Sequence, residues 1–244
     1  MTKDQLVAYS LKYDGDTNEI KKALARHEPY EPLLDLPKVI SIFDEAYPES
    51  LRELSEPPYV LYYKGDINLL KREAVSIVGS RKPIAYAINQ TQRIVKILAK
   101  KYIIVSGLAK GIDALAHFES LRVNSTIAIL GCGIDYVYPI ENKTLYRSIE
   151  ENGLILSEYP SLSLPLKHHF PHRNRIVAAL GKAVVVIQAD LKSGTMITVN
   201  EALNLGKEVY TIPYELSSIE GQGCNLLIQQ GANMILDDDD ILSI

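Results

Sequence analysis

The chain has 244 residues, of which 47% are hydrophobic and 23% are charged, and its formal net charge is −4. These proportions fit one sizeable folded core with at most a small additional unit, and they exclude an intrinsically disordered protein. The sequence contains no apolar run long enough to span a bilayer and no signal-peptide core, and its two cysteines have neither metal-ligand nor disulfide spacing, so we expect a cytoplasmic protein without membrane insertion.

The beginning of the chain differs from the rest. Residues 1–36 are acidic, contain several tyrosines and show a weak helical pattern that ends among prolines. We interpret residues 1–36 as a short helical N-terminal appendage and residues 37–244 as one domain. Two short apolar runs, at 39–43 and 59–63, are candidates for additional strands of that domain.

From residue 74 onward, short apolar runs alternate with longer amphipathic segments. The short runs are rich in β-branched residues and nearly continuous in hydrophobicity, as expected for strands that are covered on both faces. They predict strands over residues 74–78, 103–105, 126–130, 154–156, 183–187 and 208–212. Helical spacing of apolar residues predicts helices over 84–101, 111–123, 141–152, 173–181 and 195–206. This alternation predicts an α/β fold with a doubly wound, mostly parallel sheet.

Small and basic residues follow nearly every predicted strand. They include Gly79, Ser80 and Arg81 after the first strand, Gly107 and Lys110 after the second, and Ser193, Gly194 and Thr195 after the fifth. In open parallel sheets, ligands bind beyond the carboxyl ends of the strands, where glycines admit a phosphate and helix N-termini supply free N–H groups. Each loop alone is also explained by tight turning. Because neither the dinucleotide fingerprint nor the Walker pattern is present, the sequence does not favour NAD, FAD or ATP hydrolysis.

The segment from Lys167 to Arg175 contains three of the five histidines and one of the three phenylalanines. Because unpaired charges are costly to bury, we predict that this segment is an exposed, positively polarised loop. Phe170 offers a flat ring to a base, and Arg173 or Arg175, together with Arg81, would hold phosphates. The histidines predict tighter binding of a polyanion as the pH falls towards about 6.5. The alternative is a solvated loop whose arginines pair with nearby carboxylates.

Charge is distributed unevenly along the chain. Residues 1–70 carry −5, residues 71–175 carry +7 and residues 176–244 carry −6. The positive middle segment favours a polyanionic ligand despite the negative total charge, because the local field decides the attraction.

Asp113 and His117 lie four residues apart in a predicted helix, so they could form an acid–base pair. We favour the alternative, in which Asp113 interacts with the helix dipole in the first turn and His117 packs against it.

Taken in order, these motifs resemble the bacterial DNA-processing protein A family (DprA, also called Smf). Each motif is weak alone, but together they are specific, and their order and spacing agree over about residues 38–236. The matching segments are Ile77-Val78-Gly79-Ser80-Arg81, residues 105–113 with His117, Gly131-Cys132-Gly133-Ile134-Asp135, Tyr138-Pro139, Asn142, Ser157-Glu158-Tyr159-Pro160, residues 170–175, Ser193-Gly194-Thr195 and Gly223-Cys224-Asn225.

The resemblance implies an extended Rossmann-like fold and a protein that is not an enzyme and needs no cofactor. It further implies binding of single-stranded DNA, protection of incoming DNA, loading of the RecA recombinase during natural transformation, and a homodimer. The DNA-binding positions that it implies are Ser80, Arg81, Gly107, Lys110, Phe170, Arg173, Asn174, Arg175, Ser193, Gly194 and Thr195. Residues 1–36 are shorter than the helical domain of some family members, and no winged-helix module follows the sheet, so we assign no role to those modules.

An alternative function uses the same pocket. The chain is then a nucleotide-binding sensor or an enzyme that cleaves nucleoside monophosphates. Rossmann proteins with that activity carry a Gly-Gly-x-Gly-Thr segment closely followed by a catalytic glutamate. Here Ser193-Gly194-Thr195 is followed by Glu201, which is a poor match.

Overall fold

The computed structural model describes residues 1–244 and contains ten α-helices and one nine-stranded sheet. The strands are β1 (Val39–Ser41), β2 (Val60–Gly65), β3 (Ala74–Val78), β4 (Ile103–Ser106), β5 (Thr126–Leu130), β6 (Leu154–Ser157), β7 (Ala183–Val186), β8 (Glu208–Thr211) and β9 (Asn233–Met234). The helices are α1 (Lys3–Lys12), α2 (Thr17–Ala25), α3 (Glu49–Arg52), α4 (Ala85–Leu98), α5 (Ile112–Leu121), α6 (Lys143–Asn152), α7 (His169–Leu180), α8 (Thr195–Asn204), α9 (Gln222–Gln229) and α10 (Asp238–Leu242). No helix is both long and apolar enough to cross a membrane.

The strand order is β1-β2-β6-β5-β4-β3-β7-β8-β9. The seven strands from β6 to β9 in this order are parallel, and β2 joins β6 and β1 in antiparallel pairs. The chain builds β4, β5 and β6 on one side of β3 and then crosses to β7 on the other side. The predicted doubly wound, mostly parallel α/β sheet is therefore confirmed. In such a sheet, the reversal beside β3 is where a ligand crevice is expected.

Hydrophobic packing covers both faces of the central strands. In β3, Val75 and Ile77 pack with α4 and α5, whereas Ala74 and Val78 pack on the opposite face with α7 and α8. Every residue of β3, β4 and β5 is buried. This double coverage explains why these strands appear in the sequence as unbroken apolar runs.

The two N-terminal helices pack against the antiparallel side of the sheet. Leu6 and Val7 of α1 belong to one apolar cluster with Val60 and Tyr62 of β2. The Tyr62 hydroxyl also donates to Ser10 Oγ at 3.0 Å. The helices are thus stabilised by burial against the sheet, and the predicted unit boundary after residue 36 stays a prediction.

One predicted element boundary affects the site directly. The segment that we predicted as an exposed loop is the first half of α7, which begins at His169 and not at residue 173. Pro171 occupies the first turn of this helix, where the missing N–H has no intrahelical partner to lose. The loop prediction is therefore wrong. Helix α9 and the two-residue strand β9 were not predicted either.

Candidate nucleic-acid interface

A groove of about 1120 Å³ lies beyond the carboxyl ends of β3, β4 and β7. It occupies the reversal point of the sheet, between the loops that follow these strands and the first turns of α7 and α8. Nine of the eleven positions implied by the resemblance line it, namely Ser80, Arg81, Gly107, Phe170, Arg173, Asn174, Ser193, Gly194 and Thr195. Lys110 lines a smaller adjoining cavity together with Arg81 and Phe170. The structure thus brings ten of these residues together and leaves out Arg175.

An arginine and an aromatic ring form the accessible centre of this groove. The guanidinium carbon of Arg81 lies 5.9 Å from the centroid of the Phe170 ring, and the Tyr138 ring centroid lies 5.4 Å from that of Phe170. Arg81 is exposed and takes part in none of the ion pairs within the protein. A cation held over a ring but lacking a carboxylate partner remains available to an anion.

Two glycines make room for the side chains of α7. A Cβ atom on Gly131 would lie 2.8 Å from the Phe170 ring, and a Cβ atom on Gly107 would overlap the guanidinium of Arg173. Real Cβ atoms do not approach other atoms so closely. These two strand-end glycines therefore allow α7 to dock its ring and its guanidinium against the sheet.

Arg173 supports the floor of the groove. Its side chain is buried, with 4% of the residue exposed, and its Nη1 donates to the carbonyl oxygens of Gly107 and Ile129. Asp113 Oδ2 accepts from the Gly107 N–H at 3.2 Å. Burial lowers the pKa of Arg173 and raises the pKa of Asp113, and the attraction between the two charges opposes both shifts. The prediction that Arg173 is exposed is therefore wrong. Its guanidinium is buried and donates to backbone carbonyls.

Arg175 lies outside the groove, although the resemblance implies that it is a DNA-binding position. Its Nη2 donates to both carboxylate oxygens of Glu158, at 2.7 and 2.9 Å, and its Nε donates to Glu56 O at 3.0 Å. Glu158 also accepts from the hydroxyl of Thr17 at 2.9 Å. Both side chains of the ion pair are almost fully buried. Arg175 therefore fastens α7 to the end of β6 and to α2, and its guanidinium is not accessible to a strand in the groove.

The histidines of this region are mostly packed against other side chains. His169 stacks on Tyr159 with the ring centroids 3.8 Å apart, and His172 lies 3.4 Å from the carboxylate of Glu158. Burial lowers the pKa of both His169 and His172. Of the three histidines, only His168 is exposed. We therefore no longer expect His169 and His172 to contribute to tighter binding near pH 6.5.

Asp113 and His117 bond to different partners. His117 Nδ1 lies 2.7 Å from the hydroxyl oxygen of Thr126, while Asp113 bonds to the Gly107 N–H. Burial, with a smaller contribution from the nearby Arg173 charge, lowers the pKa of His117 to about 3. This geometry disfavours the acid–base pair and agrees with a packed histidine.

Backbone and amide donors line the far side of the groove. Helices α4 and α8 begin without a side-chain cap. In the first turn of α8, Met196 and Ile197 donate to Ser193 O and Gly194 O, which leaves the Thr195 N–H for a ligand. The buried hydroxyl oxygen of Ser193 has no hydrogen-bond partner, and Asn174 Nδ2 lies 3.4 Å from Gly194 O. Lys110 differs from Arg81, because its ammonium forms a 2.5 Å ion pair with the exposed Glu141. These groups suit an anionic ligand with several acceptors.

Three polar residues that line the groove were not among the predicted DNA-binding positions: Lys82, Lys167 and Gln188. Lys82 lies four residues after the end of β3 and Gln188 lies two residues after the end of β7, so their position in a strand-end loop was the available signal. The Gln188 side chain accepts from the Ile84 N–H at 3.0 Å and thereby holds the loop that carries Arg81. Three carboxylates, those of Asp113, Asp190 and Glu220, also line the groove.

Comparison with known proteins identifies relatives of this chain. The family model for DNA recombination-mediator protein A matches residues 38–244. DNA processing protein DprA of Streptococcus pneumoniae is 41% identical over 204 residues, which cover 83% of this chain and 72% of that protein. An X-ray structure of DNA processing protein A from the same species superposes with a TM-score of 0.83 at 34% identity, covering 99% of this chain and 93% of that one.

A second solved structure comes from Helicobacter pylori. It is a structure of DNA processing protein A, and it gives insight into how that protein binds single-stranded DNA. The TM-score is 0.78 at 36% identity, and the match covers 85% of this chain and 95% of that chain.

Proposed function

This chain belongs to the DNA recombination-mediator protein A family, and from that premise we propose that it binds single-stranded DNA in the groove at the strand ends. The observation that carries the proposal is the unpaired guanidinium of Arg81 above the ring of Phe170. A single strand presents both its phosphates and the faces of its bases, whereas in duplex DNA the base faces are covered by stacking on neighbouring base pairs. The Helicobacter pylori relative, whose single-stranded DNA binding has been described, supports this choice of ligand.

We assign the roles in the groove as follows. Arg81 holds a phosphate, and Phe170 stacks on a base beside it. Further donors along the backbone of the strand come from Lys110, Asn174, Ser80, Ser193, Gly194 and Thr195. Gly107 lines the groove without a free donor, because its N–H donates to Asp113, and its lack of a side chain leaves room beside the strand. Arg173 positions the floor of the groove and does not contact phosphate. Arg175 has no part in DNA binding in this proposal.

The biological role that we propose follows from the family. The protein protects incoming single-stranded DNA, acts as a homodimer in the cytoplasm and loads the RecA recombinase during natural transformation. It performs no catalysis and needs no cofactor. One geometric fact supports binding without cleavage: Glu201, the residue nearest to a catalytic glutamate in the alternative function, does not line the groove. Release of free base from nucleoside monophosphates would favour the alternative instead.

Replacing Phe170 by alanine tests the stacking role. We expect the free energy of binding to a short single-stranded oligonucleotide to weaken by about 1–3 kcal/mol, because one base loses its aromatic platform. Fluorescence anisotropy at fixed salt measures this change. At several salt concentrations, log Kd of wild type should change with log salt by about 0.7 per phosphate contacted.

The chain offers a matched control for this variant. Phe118 on α5 is exposed and lies under Arg122 at the same 5.9 Å as Phe170 under Arg81, but it does not line the groove. Phe118→Ala should bind the oligonucleotide like wild type. Equal affinities for Phe170→Ala and Phe118→Ala would rule out stacking on Phe170.

A further inference from the structure

A second group of cations lies at the opposite end of the parallel strands from the groove. They immediately precede strands β3, β4 and β7, which are neighbours in the sheet. We call this group the amino-end basic surface, and its members are Lys71, Arg72, Lys100, Lys101 and Lys182. All five residues are exposed. Because β3 has five residues, the surface lies roughly 15 Å from the groove along the strands.

Hydrogen bonds between the strand beginnings bring these cations together. The Ile103 N–H donates to Glu73 O at 2.9 Å, and the Lys182 N–H donates to Ala74 O at 2.8 Å. Arg72 Nη1 donates to Asn124 Oδ1 at 3.2 Å, and Asn124 donates in turn to Ala99 O. The sheet and the end of α4 thus hold the backbone of these five residues close together.

The ring of Tyr102 organises the two central lysines. Lys101 Nζ lies 4.6 Å from its centroid and Lys182 Nζ lies 5.0 Å from it. Lys182 also donates to the Tyr102 hydroxyl at 3.3 Å. Two ammonium groups sharing one ring repel each other, and the arrangement is therefore favoured further when an anion binds between them.

The surface lacks the carboxylates that would neutralise it. None of its five members forms an ion pair within the protein. Among the residues that directly precede β3, β4 and β7, five are cations and one, Glu73, is a carboxylate. Glu208 begins the neighbouring strand β8 and already accepts from the Tyr210 hydroxyl at 2.6 Å. The beginnings of these three strands therefore carry an excess of positive charge. In a chain whose net charge is −4, this local excess is unusual and suits a polyanion.

We propose that the amino-end basic surface is a second phosphate-binding surface for single-stranded DNA. This inference rests on the proposed function, in which single-stranded DNA is the polyanion that the protein binds. A strand held in the groove continues past it, and the phosphates of a distant segment reach the opposite end of the sheet. Arg and Lys contacts of this kind bind the backbone without reading sequence.

Oligonucleotides of two lengths separate the two surfaces. We expect Lys101→Glu with Lys182→Glu to bind an oligonucleotide of about 8 nucleotides like wild type, because that length fills only the groove. On a strand of about 40 nucleotides, the same variant should lose about tenfold in affinity, and its log–log salt slope should be shallower by about 1.4. Lys71→Glu with Lys100→Glu should show the same pattern, and it removes no contact to Tyr102.

A matched control has the same change of charge elsewhere. Arg26 and Lys38 are exposed, form no ion pair and belong to neither surface. Arg26→Glu with Lys38→Glu should bind both oligonucleotides like wild type. If both amino-end variants bind the long strand as the control does, while Arg81→Ala weakens binding, the second DNA-binding surface is ruled out. The proposed binding of DNA in the groove is then unaffected. If wild type binds neither oligonucleotide, the proposed function and this inference both fall.

Discussion

Replacing Arg175 by alanine is expected to lower the free energy of unfolding by about 3–5 kcal/mol, because it leaves the buried carboxylate of Glu158 without its charged partner. The Glu158 side chain is only 4% exposed, and Thr17 and His172 are its remaining polar neighbours. Neither of these neutral groups replaces a guanidinium that donates to both carboxylate oxygens. Denaturant unfolding at pH 7, followed by circular dichroism, measures the loss.

Two variants show whether the ion pair is the cause. Arg81→Ala removes an exposed arginine from the groove and should change the free energy of unfolding by no more than about 0.5 kcal/mol. Arg175→Met combined with Glu158→Gln removes both charges and should recover part of the stability that Arg175→Ala loses. An Arg175→Ala protein with wild-type stability and impaired DNA binding would return Arg175 to the DNA interface.

His117 is expected to make the protein less stable in acid. Its pKa is lowered to about 3 in the folded state by burial, with a further contribution from Arg173, whereas an unfolded histidine titrates near about 6.5. The folded-state pKa lies below the unfolded one, so the unfolded state takes up the proton first. The resulting loss begins as the pH falls below about 6.5, and it grows by about 1.4 kcal/mol per pH unit until the folded pKa is reached. At pH 4.5 this histidine alone should cost about 2.5 kcal/mol.

His117→Asn isolates this contribution. The Thr126 hydroxyl donates to Ile104 O, so the Nδ1–H of His117 donates to Thr126, and an asparagine amide can donate in its place. We expect the variant to be less stable than wild type at pH 7, and the difference to shrink by about 2.5 kcal/mol by pH 4.5. His27→Asn, at an exposed histidine with φ of 49°, should follow the wild-type curve. Parallel curves for wild type and His117→Asn would show that His117 does not titrate on unfolding in this range.

The central strands could be predicted from the sequence because each is buried on both faces. Such strands appear as short, continuous, β-branched runs, and β3 and β5 match the predicted bounds at both ends. The strand-end glycines and Arg81 could also be predicted, since parallel strands place their following loops at one edge. Strand β9 could not be predicted, because its two residues are exposed and carry no alternating pattern.

The roles of the α7 arginines could not be predicted from composition. A run of histidines and arginines beside a proline is typical of a solvated loop, and their burial depends on partners that are remote in sequence. Glu158 lies 17 residues before Arg175, and Gly107 lies 66 residues before Arg173. The alternative hypothesis, a solvated loop whose arginines pair with carboxylates, is right about the pairing of Arg175 but wrong about solvation, because the ion pair is buried. Whether the arginine side chains of α7 face solvent or a partner depends on the folded sheet, which brings the ends of β6 and β4 close to this helix.

The most direct test of the account is a titration of matched single- and double-stranded oligonucleotides with wild type and Arg81→Ala. Arg122→Ala, at the second arginine above a phenylalanine, is the control outside the groove. We expect wild type to prefer the single strand, and Arg81→Ala to weaken that binding by about 1.5–3 kcal/mol, because a charge-assisted contact to phosphate is lost. Equal affinity of wild type for both forms, or unchanged binding by Arg81→Ala, would contradict a groove built for an unpaired strand.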